Sequence, residues 1–316
     1  MHRRELLQRA GACGLLAAMP FSAARKLFAS PGPRQGDSGH RPMAKTSPLT
    51  PPAQGSIPVA FLLSEGAVVI DFCGPWEVFQ DVMIHGRHEA PFNLYTVAET
   101  TKPIRASAGL QLVPDYTLEN APAPKVVVIP AQGGKSEAML GWIRRTAKDA
   151  DVTMSVCTGA FLLAKTGLLA GKQATTHHTA FSEFAMEFPD VRLKRGARFV
   201  VDGNLATSGG LSSGIDLALN VVERYYGREV ATKTAFQMEY QGKGWLDPAA
   251  ANAEYAVAWV STAAHPLCPV CGMDVDVKNG PSSTYQGKTY YFCMPPHKQL
   301  FDAHPAQFLE PAAASS

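Results

Sequence analysis

The chain has 316 residues, of which 46% are hydrophobic, so it can bury one large core and a second, smaller one. Its 29 Lys and Arg residues nearly balance its 27 Asp and Glu residues, giving a formal net charge of +2, and this balance argues against a nucleic-acid-binding protein. The six cysteines do not form the pattern of a disulfide framework, because three cluster near the C-terminus and the others are scattered.

Residues 1–30 have the parts of a secretory signal. A basic start with Arg3-Arg4 is followed by a short apolar run that ends in small residues. The arginine pair resembles that of a twin-arginine signal and predicts a periplasmic protein. The apolar run is too short, and too broken by Pro20, to predict a stable membrane span. Residues 31–56 are rich in Pro, Ser and Gly and predict a linker.

Residues 57–245 predict an α/β domain. Short apolar runs predict buried parallel strands at residues 59–63, 125–129 and 152–156. Residues 212–226 have helical spacing, and Gly227 predicts the end of that helix. Strands that alternate with helices predict a doubly wound, mainly parallel sheet sandwiched by helices. Neither a P-loop nor a dinucleotide-binding glycine pattern is complete, so no cofactor is predicted for this domain.

Cys157 stands where a predicted strand runs directly into a helix. Small residues at 158–160 suit a nucleophile elbow, a sharp turn in which a strained residue projects its side chain above the sheet. Because a helix N-terminus favours a thiolate, the pKa of Cys157 is expected to be lowered. Backbone N–H groups of Thr158 and of Gly133 or Gly134 are candidates for an oxyanion hole. The alternative is a buried, unreactive cysteine.

Several ordered motifs over about residues 57–240 resemble the ThiJ/PfpI superfamily, which has the class I glutamine amidotransferase-like fold. They lie at residues 66–79, 157–160, 167–171, 174–177, 206–210 and 214–216. Within the superfamily, the pattern is most similar to isonitrile hydratases and to the sensor domains of AraC-type regulators. Family members are usually dimers, so the resemblance implies a homodimer with a nucleophilic cysteine that acts on a small molecule.

The resemblance also implies roles for individual residues. Asp71, Cys157 and Thr158 match the Asp, Cys and Thr of isonitrile hydratases, and the carboxyl group of Asp71 would bond the thiolate or act as acid/base. Asp71 could instead cap the following helix. His177 matches a family histidine near the nucleophile, where it orients a substrate or has a structural or dimer-contact role. Proteolytic members have His directly after the cysteine, so Thr158 argues against a protease.

After a second predicted linker at residues 246–263, residues 264–312 predict a small α+β metal-binding module. Cys268, Cys271, Cys293 and His297 suit a tetrahedral site for Zn²⁺ or Cu⁺. A segment of this size has little core, which a metal would stabilise. The run resembles a YHS domain, although that family usually has Asp where Cys268 stands and a second Cys where His297 stands. The alternative is that these cysteines form disulfides.

Two functions are compatible with these features. In the first, Cys157 attacks or activates an electrophilic carbon of an isonitrile or a reactive carbonyl compound, in a hydratase or hydrolase. In the second, the protein is a non-enzymatic envelope protein that responds to metal or oxidants. The C-terminal module would then hold the metal, and Cys157 would be a redox-responsive thiol.

Overall fold

The computed structural model describes residues 47–247, 266–270 and 275–309. The predicted signal at 1–30, most of both predicted linkers, and Cys271 lie outside the described residues. In residues 47–247 the strands are, in chain order, β1 (Ile57–Leu62), β2 (Phe92–Ala98), β3 (Ile104–Arg105), β4 (Gln111–Leu112), β5 (Tyr116–Thr117), β6 (Val126–Ile129), β7 (Val152–Val156), β8 (Gln173–Ala174), β9 (Arg192–Leu193), β10 (Phe199–Asp202) and β11 (Leu205–Ser208). The helices are α1 (Val69–Gln80), α2 (Glu137–Thr146), α3 (Gly159–Lys165), α4 (Phe181–Glu187), α5 (Ser213–Tyr226) and α6 (Arg228–Gln237).

Seven of these strands form one sheet in the order β10-β11-β7-β6-β1-β2-β5. All neighbouring pairs are parallel except β10 and β11, which are antiparallel. The three strands predicted from apolar runs correspond to β1, β6 and β7, and the predicted helix corresponds to α5, which ends before Gly227. The predicted mainly parallel sheet sandwiched by helices is therefore confirmed.

The sheet is buried on both faces, which explains why its strands are apolar throughout rather than alternating. Along β1, Val59 and Phe61 pack into one core, and Ala60 and Leu62 pack into the other. The first core also contains buried residues of α1, α5 and α6, and the second contains those of α2, α3 and α4.

The strand order reverses direction around β1, which has β2 on one side and β6 on the other. In open α/β sheets such a point leaves a crevice at the carboxyl ends of the strands, where ligands bind. Three segments reach this edge: Asp71 in the first turn of α1, Ala131 just after β6, and Cys157 directly after β7. The topology therefore brings residues that are distant in sequence to one place.

The C-terminal module has a two-stranded hairpin followed by two helices. They are β12 (Ser282–Tyr285), β13 (Lys288–Tyr291), α7 (Pro295–Ala303) and α8 (Pro305–Leu309). The hairpin turns at Gln286 and Gly287, whose φ values of 49° and 78° suit a tight two-residue loop. Four buried side chains form the centre of its core: Cys268, Val270, Phe292 and Phe301. Across the described ranges, helices of the length and apolarity needed to cross a membrane do not occur.

Candidate functional site

Cys157 has the strained backbone that was predicted for a nucleophile elbow. Its φ is 57°, in the left-handed region that non-glycine residues rarely occupy. Two hydrogen bonds hold the turn, because the Cys157 N–H donates to the carbonyl of Gly209 at 3.0 Å and its carbonyl accepts from Thr176 Oγ1 at 3.0 Å. A Cβ on Gly159 would lie 2.3 Å from the carbonyl oxygen of Ile129, so α3 can start this close to β6 only with glycine there.

Asp71 is fully buried beside Cys157. Its Oδ2 accepts a hydrogen bond from the N–H of Ala131 at 3.1 Å, and the Cys157 thiol is a further hydrogen-bond partner of the carboxyl group. The second oxygen, Oδ1, is buried with no nitrogen or oxygen donor among the described residues. Helix α1 starts after Val68 without a side-chain cap, so Asp71 does not have the helix-capping role considered as its alternative.

The electrostatics of this pair differ from the expected thiolate. Burial raises the pKa of Asp71 to about 7, although hydrogen bonds from Ala131 and Cys157 oppose this. Burial and the charge of Asp71 together raise the pKa of Cys157 to about 11. The predicted lowering of the thiol pKa is therefore wrong, because desolvation and a neighbouring carboxylate outweigh the helix N-terminus. At neutral pH the sulfur carries its proton and hydrogen-bonds to Asp71.

Two backbone N–H groups face the sulfur of Cys157. They belong to Thr158 and Leu211, and both lower the pKa of the thiol, as does the Thr158 hydroxyl. The N–H groups of Gly133 and Gly134 point elsewhere, since they donate to the carbonyl of Glu65 and to Ser64 Oγ, each at 2.9 Å. The structure thus does not supply the glycine part of the predicted oxyanion hole. Leu211 was missed, although the preceding Gly-Gly pair marks a tight loop.

His177 is held in one orientation. Its Nδ1 lies 2.8 Å from Thr179 Oγ1, and its ring lies against that of His178, with centroids 4.3 Å apart. Gly210 leaves space for the ring, since a Cβ at that position would lie 2.3 Å from His177 Cδ2. Burial, with a smaller effect of His178, lowers the pKa of His177 to about 4. His177 is therefore neutral at physiological pH and is suited to hydrogen bonding rather than to carrying charge.

A cavity of about 190 Å³ lies next to Cys157. Its wall includes three residues that are hydrogen-bonded to Cys157, namely Thr176, Gly209 and Leu211. The polar side chains in its wall include those of His177, His178, Arg198 and Ser212. His178, the residue after His177, thus also lies in this wall. A cavity of this size accommodates a small molecule.

The guanidinium group of Arg198, in the cavity wall, is held in place by hydrogen bonds. Arg198 Nε donates to Oδ2 of the fully buried Asp216, and Arg198 Nη2 donates to Ser212 Oγ at 2.9 Å. Asp216 also accepts from the Tyr240 hydroxyl at 3.0 Å and from the Trp245 N–H at 2.9 Å. Sequence reasoning did not identify Arg198, because nothing local marks a cation whose partner lies in another element.

In the C-terminal module, Cys268, Cys293 and His297 form a cluster that can hold a metal ion. Their ligand atoms lie within 4.8 Å of one another, with His297 Nδ1 at 3.7 Å from the sulfur of Cys268 and 3.2 Å from that of Cys293. Ligands at about 2.0–2.3 Å from one tetrahedral ion have similar separations. Two sulfurs and an imidazole suit Zn²⁺ or Cu⁺, and these three predicted ligands are thus together.

Two family models match the chain. The DJ-1/PfpI family model matches residues 58–224, and the YHS domain model matches residues 268–312. The first match covers the sheet, Asp71, Cys157 and His177, and the second covers the cluster of Cys268, Cys293 and His297.

The chain is also similar to individual proteins of known sequence or structure. Isonitrile hydratase of Pseudomonas putida is 34% identical over 193 residues, which are 58% of this chain and 79% of that protein. The HTH-type transcriptional regulator GbdR of Pseudomonas aeruginosa is 27% identical over 188 residues, and the chain spans only half of its length. The crystal structure of a ThiJ/PfpI family protein from Pseudomonas syringae superposes with a TM-score of 0.53 and 26% identity, covering 60% of this chain and 77% of that one.

Proposed function

The chain belongs to the DJ-1/PfpI family, and on that premise we propose that it is a cysteine-dependent hydratase that acts on a small electrophilic carbon, with isonitriles as the first candidate substrates. One observation carries the proposal: a strained, buried thiol faces a buried carboxyl group at the carboxyl edge of the sheet. The 34% identity to isonitrile hydratase supports the choice of substrate, and Asp71, Cys157 and Thr158 all lie within residues 58–224, which match the family model.

The arrangement supports a covalent route in which every proton has a carrier. As the sulfur of Cys157 attacks the carbon of R–N≡C, the thiol proton passes to Asp71, and a C–S bond forms. Asp71 then gives that proton to the same carbon, which yields the thioimidate R–N=CH–S–Cys157. The N–H groups of Thr158 and Leu211 stabilise the negative charge that develops on the sulfur.

Water completes the reaction. It adds to the thioimidate carbon, the nitrogen takes up a proton, and the C–S bond breaks. The products are the formamide R–NH–CHO and the restored thiol, so the net change is the addition of one water molecule. Asp71 is suited to both proton transfers because its pKa of about 7 lies near physiological pH.

The adjoining cavity supports a small substrate with a polar part. Its volume of about 190 Å³ limits the size of the group R, and the neutral His177 and the fixed Arg198 supply hydrogen-bond donors on its wall. The same apparatus would also accept a reactive carbonyl compound such as a glyoxal, since a thiol adds to that carbon as well.

The test is an assay of the purified protein on a series of isonitriles and on glyoxals, next to the Cys157→Ala variant. We expect formamide from at least one isonitrile with the wild type and a loss of about 10³-fold or more with the variant. Cys73→Ala is the matched control, because Cys73 is the other free thiol described in this domain and lies within α1. Lack of turnover on both substrate classes by folded protein would contradict the proposal.

A second candidate is a non-enzymatic protein that responds to metal or oxidants, and the Cys268, Cys293 and His297 cluster favours its metal-binding part. The raised pKa of Cys157 disfavours the oxidant-sensing part, because oxidation proceeds through the thiolate. Elemental analysis after anaerobic purification separates the candidates: metal in a protein without turnover on either substrate class supports this one.

We also propose export through the twin-arginine-like segment at residues 1–30, and a homodimer. The first is supported by Arg3-Arg4 and the apolar run that follows. The second is supported by membership of a family whose members are usually dimers. Fusion of residues 1–30 to a reporter that is active only in the periplasm tests export, with Arg3→Lys/Arg4→Lys as the control. Light scattering of the purified protein tests the dimer.

A further inference from the structure

The imidazole of His297 has two different neighbours on its two nitrogens. Its Nδ1 faces the sulfurs of Cys268 and Cys293, at 3.7 and 3.2 Å. Its Nε2 lies 3.9 Å from Glu183 Oε2, an ion-pair distance. Glu183 does not belong to the metal-binding module, because it lies in α4 of the α/β domain. The described parts of the domain and of the module belong to one compact unit, and this contact joins them.

This geometry has a recognised chemical purpose at metal sites. A histidine that ligates a metal through one nitrogen usually donates its other N–H to a carboxylate, which fixes the tautomer and orients the ring. A proton on Nε2, which the Glu183 carboxylate at 3.9 Å favours, would leave the lone pair of Nδ1 available on the side of the two sulfurs. The side chain of His297 is only 10% exposed, so water has little access to Nε2 to take the place of Glu183 as its partner.

We propose that Glu183 of the α/β domain is a positioning residue for the metal site of the C-terminal module, and that metal binding by Cys268, Cys293 and His297 therefore fastens the module to α4. The proposal rests on metal binding by this cluster and is independent of the activity of Cys157. The α/β domain would then contribute Glu183 to a metal site whose three described ligands all lie in the module.

Helix α4 connects this contact to the candidate active site. Its first residue, Phe181, lines the cavity next to Cys157, together with His177 and His178. Glu183 follows two positions later, on the same short helix. A module fastened through Glu183 thus restrains the helix that forms part of the cavity wall. The metal site and the cavity thus share helix α4, although none of the three metal-ligating residues lines the cavity.

The chain offers a closely matched control for Glu183. Glu187 lies in the same helix, pairs with Lys165 at 3.1 Å, and has a side chain 40% exposed, against 39% for Glu183. The two substitutions Glu183→Gln and Glu187→Gln remove the same charge from the same helix. They differ in one respect, because only Glu183 lies at His297.

The experiment measures Zn²⁺ affinity of the full chain by competition with a chromophoric chelator, and the absorption of the Co²⁺-substituted protein. We expect Glu183→Gln to weaken Zn²⁺ binding by roughly 10-fold or more and to shift the Co²⁺ d–d bands, whereas Glu187→Gln stays within about twofold of the wild type. Equal affinities for wild type and Glu183→Gln, equal losses in the two variants, or no Zn²⁺ binding by the wild type would each overturn the proposal.

Hydrogen exchange gives a second readout that does not depend on affinity. Addition of Zn²⁺ to the wild type should slow exchange of the amides of Phe181–Glu187, and the slowing should be lost in Glu183→Gln measured at saturating Zn²⁺. Exchange in α4 that is unchanged by Zn²⁺ in the wild type would overturn the fastening of the module to this helix.

Discussion

The carboxyl group of Asp71 and the thiol of Cys157 are hydrogen-bonded to each other, although they enter the site from different strands. Asp71 follows β1 in the first turn of α1, and Cys157 follows β7 at a strained turn. Both groups are buried: the charge of Asp71 disfavours the thiolate, whereas the hydrogen bond from the thiol favours the carboxylate, so the thiol proton stays within the pair. The chemistry proposed for this protein depends on the transfer of that proton.

Replacement of Asp71 by Asn should stabilise the protein at neutral pH while it removes activity. The native pKa of about 7 lies above the ordinary value of 3.8, so the native state binds the proton more tightly than the unfolded state. Stability from this group is complete below pH of about 4 and is lost as pH rises through 7. Asn does not ionise, so the variant does not lose this stability as the pH rises. At pH 8 its free energy of unfolding should therefore exceed that of the wild type, by at most about 4 kcal/mol.

Denaturant unfolding of the wild type and Asp71→Asn at pH 5 and pH 8 measures this effect. The gain should be clearly larger at pH 8 than at pH 5, because the wild-type carboxyl is still protonated in the native state at pH 5. A variant that is less stable than the wild type at pH 8 would show that the carboxylate is stabilised by its surroundings.

Activity should increase with pH through about 7. The proposed route starts from a protonated Cys157 and an ionised Asp71, and Asp71 ionises with a pKa of about 7 while the thiol keeps its proton to about 11. A profile of kcat/KM between pH 5.5 and 9 therefore has a rising limb and then a plateau. A rate that falls over this range would indicate that protonated Asp71 is the active form.

Gly159→Ala should destabilise the protein, whereas Gly141→Ala should not. The new Cβ at position 159 would lie 2.3 Å from the carbonyl oxygen of Ile129 and 2.8 Å from that of Pro130, and backbone atoms cannot move aside. The expected loss is about 1–3 kcal/mol. At position 141, inside α2, the Cβ meets only the end of the Arg145 side chain at 3.4 Å.

The Gly141→Ala control should gain about 0.5–1 kcal/mol, because alanine is the better helix former. Thermal unfolding of both variants measures the difference. A Gly159→Ala variant that unfolds at the wild-type temperature would mean that α3 does not start as close to β6 as the structure has it.

Removal of metal should loosen the C-terminal module and leave the sheet intact. The described core of the module is small, and Cys268 belongs both to it and to the metal cluster. Binding free energy at such a site contributes directly to folding. Chelator should therefore accelerate proteolysis within residues 275–309, and Cys293→Ser should do the same without chelator. Resistance that is unaffected by either treatment would argue against a structural metal.

The sequence was sufficient to predict the sheet and the elbow, because both depend on local patterns. Apolar runs of strand length gave β1, β6 and β7, and the small residues after Cys157 indicated the sharp turn that its φ of 57° confirms. The two family resemblances were also carried by short ordered motifs, and both family models match.

The features that were missed or wrong all depend on contacts between distant parts of the chain. The pKa of Cys157 was expected to be lowered, because the helix N-terminus that favours a thiolate is recognisable in the local sequence. Burial and the charge of Asp71 raise that pKa instead. The N–H groups of Gly133 and Gly134 are occupied by Glu65 and Ser64, and the N–H of Leu211 takes the position at the sulfur. No periodicity or spacing along the sequence encodes these tertiary partners.

The central claim is that Cys157 forms a covalent bond to the substrate carbon, and the most direct measurement is mass spectrometry of the protein after acid quenching during isonitrile turnover. The mass of the peptide that contains Cys157 should increase by the mass of the whole isonitrile, because the S–H group adds to the carbon without loss of atoms. Continued turnover with unmodified Cys157, together with a Cys157→Ser variant that works at a rate close to that of the wild type, would contradict it.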